Sequence, residues 1–305
     1  MRKSLLTLAV LSALASQVAF AEEAAAPAAA PTPTWTFPAS ATLVSDYIWR
    51  GQTQTWGNPA VQFGIEADHA SGFYAGFWGS NVSSHWLPNA SLETDWSIGF
   101  RNTFATDFKY DVGAVYVYYP DADFAKSAAS GGADPTNAAH PLPYNKQKID
   151  TAEIYASLGW KWFTVKAGAN PTKFYGWNTN NSGINAADTA YPGASFAGNT
   201  TAGVTGDTKW SHYFMASASY DLPMGLNVAG EVGRQVIENS TGLDWTWYKV
   251  GVTKTFADTW ALNAFYTGTT GSSAYKGFWS FDQPTGSDTK DIDSKKVVIG
   301  ITKSF

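Results

Sequence analysis

From Ala39 to the C-terminus the chain alternates apolar and polar residues with a period of two, and no other feature limits its possible folds as tightly. The clearest stretch places Leu92, Trp96, Ile98, Phe100 and Phe104 on one parity and Glu93, Asp95, Ser97, Gly99, Arg101 and Thr103 on the other. Successive side chains of a strand point to opposite faces, so this segment is a strand with one apolar and one charged face. A helix would mix the two sets. Val61, Phe63, Ile65 and Ala67 alternate in the same way with Gln62, Gly64, Glu66 and Asp68. Phe108, Tyr110, Val112, Ala114, Tyr116 and Tyr118 share one side of a further segment. Ile154, Ala156 and Leu158 oppose Glu153, Tyr155 and Ser157, and Phe163, Val165 and Ala167 oppose Thr164, Lys166 and Gly168. Weaker alternation marks Ala39–Arg50, Phe73–Ser83, Trp210–Leu222, Leu226–Gln235, Trp245–Phe256, Thr259–Thr267 and Lys295–Phe305. The expectation is an all-β chain of about twelve strands, an even number as single-chain bacterial barrels require.

The junctions carry a second regularity. Ser71-Gly72, Thr106-Asp107, Gly159-Trp160-Lys161, Pro223-Met224-Gly225 and Ala257-Asp258 are tight. Between them fall longer connections at Gly51–Pro59, Ser84–Ser91, Pro120–Lys148, Asn170–Lys209, Ile237–Asp244 and Gly268–Ser294. Short periplasmic turns alternating with long external loops are the pattern of a transmembrane antiparallel up-and-down β-barrel. A soluble sandwich has no reason to sort its loops by length. The same alternation places both termini in the periplasm.

The two ends agree with export to an outer membrane. Arg2 and Lys3 precede an apolar run from Leu5 to Val18, which is shorter than the roughly 20 residues a spanning helix needs. Ala19-Phe20-Ala21 then offers small residues where a signal peptidase reads, so residues 1–21 read as a signal peptide cleaved between Ala21 and Glu22. Residues 22–38 are an Ala/Pro-rich periplasmic tail in which frequent proline blocks a helix. The barrel then occupies residues 39–305. At its end, Val297, Ile299, Ile301 and Phe305 share one parity and finish on an aromatic, resembling the signal that barrel assembly machinery recognises. Lys303 departs from that pattern.

Composition narrows the partners. The chain has no cysteine, which removes disulfide scaffolds and thiolate metal sites. Loss of Arg2 and Lys3 leaves 18 basic residues against 25 acidic, a sign that argues against nucleic acid. The 14 Trp, 15 Tyr and 18 Phe suit aromatic girdles at two membrane interfaces.

Three runs of residues carry a likeness. Ser45-Asp46-Tyr47-Ile48-Trp49-Arg50-Gly51-Gln52-Thr53-Gln54-Thr55, then Asn58-Pro59-Ala60-Val61-Gln62, then Ser71 to Val82, together resemble the TorF family of outer-membrane porins. The likeness is specific over residues 45–82 and diffuse beyond them. It implies a barrel, and it supplies no catalytic residue.

If the apolar parity faces lipid, the lumen receives Asp46, Arg50, Glu66, Asp68, Glu93, Asp95, Arg101, Glu153, Lys166, Glu231 and Lys249. Acids outnumber bases, and both signs are present. About twelve strands leave room for a narrow pore at most. The expected function is a porin passing small polar solutes with a mild cation preference. The alternative is a structural or adhesive barrel whose lumen charges pair across a filled interior and whose external loops bind a ligand. Tyr175, Trp177, Tyr191 and Phe196 in the loop Asn170–Lys209 would then stack on a sugar or partner, or cap the pore.

An enzyme is not expected, and no cofactor is. A nucleophilic Ser needs a His in reach, and the four histidines are His69, His85, His140 and His212. His69 lies beside a tight turn, His85 and His140 lie in loops, and His212 adjoins Ser211, which as a strand neighbour points to the opposite face. Asp288, Asp291 and Asp293 could gather a divalent cation, but no glycine-bounded calcium loop surrounds them and a solvated acidic loop is the simpler reading.

Overall fold

The structure is a computed structural model, and it describes residues 34–105, 107–128, 144–183, 202–282 and 288–305. Twelve long strands close into one antiparallel barrel. In chain order they are β1 (Ala39–Val44), β2 (Ala60–His69), β3 (Phe73–Asn81), β4 (Leu92–Phe104), β5 (Phe108–Tyr118), β6 (Thr151–Trp160), β7 (Phe163–Ala169), β8 (His212–Leu222), β9 (Leu226–Val236), β10 (Trp245–Phe256), β11 (Trp260–Thr270) and β12 (Lys296–Ser304). Each pairs with its neighbour in sequence, and β12 closes on β1 in a register from Gly300↔Val44 to Ser304↔Ser40. Closure leaves no open edge, which is what a sheet crossing lipid requires.

The tight turns gather at the end of the barrel that also holds Trp35 and Phe305. Met224-Gly225 and Ala257-Asp258 have φ values of 65°, 70°, 48° and 60°, left-handed pairs that suit the twist of adjoining strands. Thr106 lies outside the described residues, as do Ala21, Glu22 and His140. Trp160 completes β6 instead of entering its turn, and β11 runs on to Thr270, past the expected boundary at Thr267. At the N-terminal side a two-residue strand, Trp35–Thr36, pairs with His69 and Asp68 of β2. Sheet pairing therefore begins inside the segment expected to be tail. The interruption before β1 falls at Phe37-Pro38, where proline has no N–H for the ladder and its carbonyl accepts from Glu66 N at 3.0 Å.

The apolar parity faces outward all round the barrel. Val61, Trp96, Ile98, Phe214, Val250, Val297 and Ile299 are all more than half exposed, a belt that only lipid can cover. At the turn end Phe104 stacks on Phe108 and Phe108 on Trp160, at 5.5 and 6.3 Å between centroids. Lys303 is on this outward face, with Nζ 5.5 Å from the Trp260 ring centroid, 5.7 Å from that of Phe305 and hydrogen-bonded to Thr259. Its stem covers apolar surface at the interface while its ammonium reaches polar partners, which is how a lysine fits a position that otherwise takes an apolar residue.

The first strand is shorter than the alternation suggested. β1 ends at Val44, and Asp46 and Arg50 belong to a loop, so neither is a strand residue. The loop 45–59 turns inward, and every residue from Asp46 to Trp56 is buried or half-buried. Period two alone did not separate an extended strand from an extended loop that enters the barrel.

Candidate functional site

Within the inward loop, Ile48–Trp49 pairs with Gln52–Thr53 as a small hairpin. Its turn is Arg50-Gly51, with φ of 45° and 82°. Gly51 meets β11 closely: a Cβ there would lie 2.5 Å from Thr269 Cγ2 and 3.0 Å from the Gly268 carbonyl. Only glycine allows both the left-handed backbone and this approach. Backbone bonds tie the hairpin into its surroundings, Thr53 N donating to Ile292 O at 2.8 Å and Ser83 N to Gln54 O at 2.9 Å.

Arg50 reaches across the lumen from this turn. Its Nη1 donates to Gln235 Oε1 at 2.5 Å and its Nη2 to Glu153 Oε2 at 2.8 Å. The guanidinium carbon sits 3.6 Å from the Tyr213 ring centroid and 4.4 Å from that of Trp49. Tyr213 OH donates to the other Glu153 oxygen at 2.9 Å, and Trp245 Nε1 to the Arg50 carbonyl at 2.8 Å. One side chain thus joins the loop to β6, β8 and β9. Asp46 fixes the base of the loop, accepting from Thr53 and Thr55 hydroxyls at 2.6 and 2.9 Å and pairing with Lys296 Nζ at 2.9 Å. Tyr47 OH and Tyr119 OH each donate to Glu93 at 2.7 Å. Burial and the adjacent Glu93 carboxylate push both phenols above their ordinary range, so they stay protonated donors.

Nearer the turn end, Arg101 is paired with both Glu66 and Asp68 and lies 4.2 Å from the Tyr74 ring centroid. Tyr74 OH donates to Asp111 at 2.8 Å and touches Tyr155 OH. Lys166 Nζ lies 3.7 Å from the Tyr155 ring centroid. On the opposite wall Lys249 pairs with Glu231 at 3.0 Å, and Trp247 Nε1 donates to Glu231 at 2.9 Å. Asp95 differs from these groups: its Oδ1 is buried with no hydrogen-bond partner. The eleven charged residues named from the sequence stand on the polar parity of their strands or, for Asp46 and Arg50, in the inward loop. Most of the acids (Glu66, Asp68, Glu93, Asp95, Asp111, Glu153) stand on β2 to β6 with Arg101 and Lys109 among them, whereas Lys166, Lys249 and Lys296 stand on β7, β10 and β12 with Glu231 on β9.

Asp111, Lys296, Tyr74, Tyr155, Tyr213 and Gln235 were missed as lumen residues. Parity could have found the first two, since Asp111 opposes Val112 and Lys296 opposes Val297. The tyrosines gave no such signal, because an aromatic suits either face of a barrel strand.

The long connections close over the loop end through an aromatic core. Trp86 meets Phe278 at 4.7 Å, Phe124 meets Phe281 at 5.6 Å, Phe174 meets Trp177 at 5.1 Å and Trp49 meets Tyr175 at 5.3 Å between centroids. Trp177, placed above among stacking residues for a ligand, is buried here, and Tyr175 packs against the inward hairpin. Tyr191 and Phe196 lie outside the described residues. The three loop aspartates do not converge. Asp288 faces His85, Asp291 accepts from Gly277 N at 2.7 Å, and Asp293 accepts from Thr269 at 2.8 Å. Among the described residues no cluster of His, Asp and Glu forms a metal site. Ser211 Oγ donates to Thr208 O, while His212 pairs with Glu238, so these neighbours form no catalytic pair.

The molecule is a transmembrane β-barrel of twelve strands with a charged lumen and an inward-folded loop. Its sequence places it more narrowly. The chain belongs to a family described as bacterial protein of unknown function, Gcw_chp, whose model matches residues 28–305. The segment 45–82 that resembles the TorF family falls inside this match, and the family shown is Gcw_chp. No curated protein is similar to the chain. Among solved structures it is similar to the KdgM porin in complex with disordered oligogalacturonate, at TM-score 0.45 and 8% identity, covering 88% of this chain and 98% of that one. It is similar also to the NanC porin, at TM-score 0.44 and 7% identity over 88% and 99% of the two chains. Acinetobacter baumannii OccAB1 gives TM-score 0.42 and 16% identity over 86% and 60%.

Proposed function

We propose that the protein is a narrow porin of a Gram-negative outer membrane, passing small polar solutes with a mild preference for cations. The observation that carries this reading is the polar loop 45–59 folded inside a closed barrel, with Arg50 spanning the lumen to Glu153 and Gln235. A loop that constricts a charged lumen sets a size limit. The excess of acids on β2 to β6, offset in part by Arg101 on β4, against the lysines on β7, β10 and β12 gives a transverse field that orients polar solutes. An excess of inward acids favours cations. In this reading the tight turns and both termini face the periplasm, residues 1–21 are removed on export, and the C-terminal strand engages the assembly machinery. The protein is a conduit and performs no chemistry.

A second reading has its own observation. Eight of the eleven lumen charges named from the sequence have an opposite partner within ion-pair distance, and the aromatic core covers the loop end. A structural or adhesive barrel with a filled lumen would look the same. Planar-bilayer recording separates the two. Wild type should give small unitary currents, and replacing residues 48–53 by a short Gly/Ser linker should enlarge them. Silence from both proteins, each verified as a folded barrel, would remove the porin reading.

A further inference from the structure

The lipid-facing wall is not uniformly filled. One outward row of the sheet is mostly small, with the register Ala67↔Ala75, Ala75↔Ile98 and Ile98↔Ala114 across β2 to β5. The next row towards the loop end is large, with Ile65↔Phe77, Phe77↔Trp96 and Trp96↔Tyr116. Phe77 packs edge-on against Trp96 at 4.6 Å between centroids, so the tall row is a continuous ledge. Methyl side chains beneath that ledge leave an apolar groove of about 540 Å³, which runs from Phe37 to Ala152 of β6. Four interstrand spacings, roughly 19 Å, give it room for an extended hydrocarbon chain.

Tyr116 connects the groove to the rim above it. Its ring stacks on Tyr118 at 6.4 Å and 14°, and Lys148 Nζ lies 5.9 Å from the Tyr118 centroid. Lys146 and Lys148 are exposed, and Lys173 Nζ donates to Gln147 Oε1 at 3.3 Å. Among the described residues these three lysines form no ion pair. The carboxylates beside them have other donors. Asp121 pairs with Lys126, Asp123 accepts from Ala125 N and Gln147 N at 2.9 and 3.0 Å, and Asp150 accepts from Tyr119 N at 3.1 Å and Tyr116 OH at 3.3 Å. Lys126 holds the Asp121 carboxyl below its ordinary range, and Lys148 adds to that pull.

We propose that the groove holds an acyl chain of a lipid with an anionic phosphate headgroup, and that Lys146, Lys148 and Lys173 receive the phosphate at the rim. The groove alone sets no preference, since any lipid chain can fill it. Unpaired ammonium groups at its end do, because a lysine is a compact point charge that binds phosphate and attracts anionic headgroups within a Debye length of the surface. A second copy of the chain is the competing apolar occupant. Packed through the same face on both copies, it would bring its own rim lysines towards these, and like charges oppose that contact. The inference rests on the barrel lying in a membrane. It does not depend on conduction through the lumen or on which leaflet the loops face.

Trp96 is a wall of the groove and is 56% exposed on the lipid side, so it reports occupancy. The full chain is refolded into phosphatidylcholine vesicles with a fixed fraction of brominated-chain lipid, either phosphatidic acid or phosphatidylcholine. Quenching at Trp96 is the difference between wild type and W96F. Phosphatidic acid should occupy the site about tenfold more strongly, the scale of one or two lysines beside a membrane surface. K146Q/K148Q/K173Q should bring the two lipids to equal occupancy. Raising salt on the wild type should do the same and carries the test if that variant fails to fold. A75F/A114F fills the groove, keeps the lysines and should remove the preference at Trp96. Equal quenching by the two lipids in wild type, or a preference that survives salt or either variant, overturns the proposal. So does loss of quenching by both lipids as the protein-to-lipid ratio rises, which assigns the groove to a second copy. No current is read, so this site and the porin reading stand or fall separately.

Discussion

Arg50→Ala removes the contact that holds the inward hairpin across the lumen, and its cost can be worked from the geometry. The wild-type guanidinium makes two short bonds, 2.5 Å to Gln235 and 2.8 Å to Glu153, at side-chain exposures of 10% for Arg50 and 14% for Glu153. Screening at such sites is slight. After the change Glu153 keeps only the Tyr213 hydroxyl at 2.9 Å as a described hydrogen-bond partner, so a buried carboxylate loses its ion-pair partner and is left with Lys166 as its neighbouring cation. Breaking one side of a buried pair costs roughly 3–5 kcal/mol. Glu153→Gln alone removes the charge but leaves an amide oxygen for Arg50, a loss of about 1–3 kcal/mol. If the two groups act through each other, the double variant should be less damaged than the sum, with a coupling of about 1.5–3 kcal/mol. Urea unfolding of the barrel refolded into phospholipid vesicles, followed by tryptophan fluorescence, measures all three variants. Amide exchange at Thr53, whose N–H donates to Ile292 O, reads the same coupling locally at the hairpin. Additivity within about 0.5 kcal/mol by both measurements would show that Arg50 does not anchor the loop through Glu153.

Further outcomes follow from the same geometry. Gly51→Ala places a methyl against Thr269 at a left-handed position and should destabilise by roughly 1–3 kcal/mol in the same unfolding assay. Ile98→Lys puts a charge on the lipid face of β4 and should cost about 2–4 kcal/mol near the midplane, read as loss of the heat-modifiable folded band on gels. Glu93→Gln with Asp95→Asn should leave that band intact and shift the reversal potential under a KCl gradient toward anions, most visibly at low salt where screening is weak. An unchanged potential in a conducting channel would remove these carboxylates from selectivity.

Strand rhythm, loop-length alternation and the parity of β4 and β12 were all legible in the sequence, because a sheet wetted by lipid on one side and by a polar lumen on the other must alternate. The same rule puts the charged strand residues named from the sequence on the polar parity of their strands. The sequence-level reading did not extend to the path of residues 45–56, where an irregular segment with the polarity of a strand enters the barrel instead of extending its wall. Nor could it show that Arg50 meets Glu153 and Gln235, residues more than a hundred positions away, since that meeting depends on closing the whole barrel. The aromatic cap has the same origin. Trp86, Phe124, Phe174 and Phe278 lie in loops of ordinary composition and become a core only when twelve strands bring those loops over one opening. Local alternation determined the wall of this protein, because each strand answers to its own two faces. What occupies the lumen and covers its mouth was decided by tertiary structure, because those contacts join segments that are neighbours only after closure.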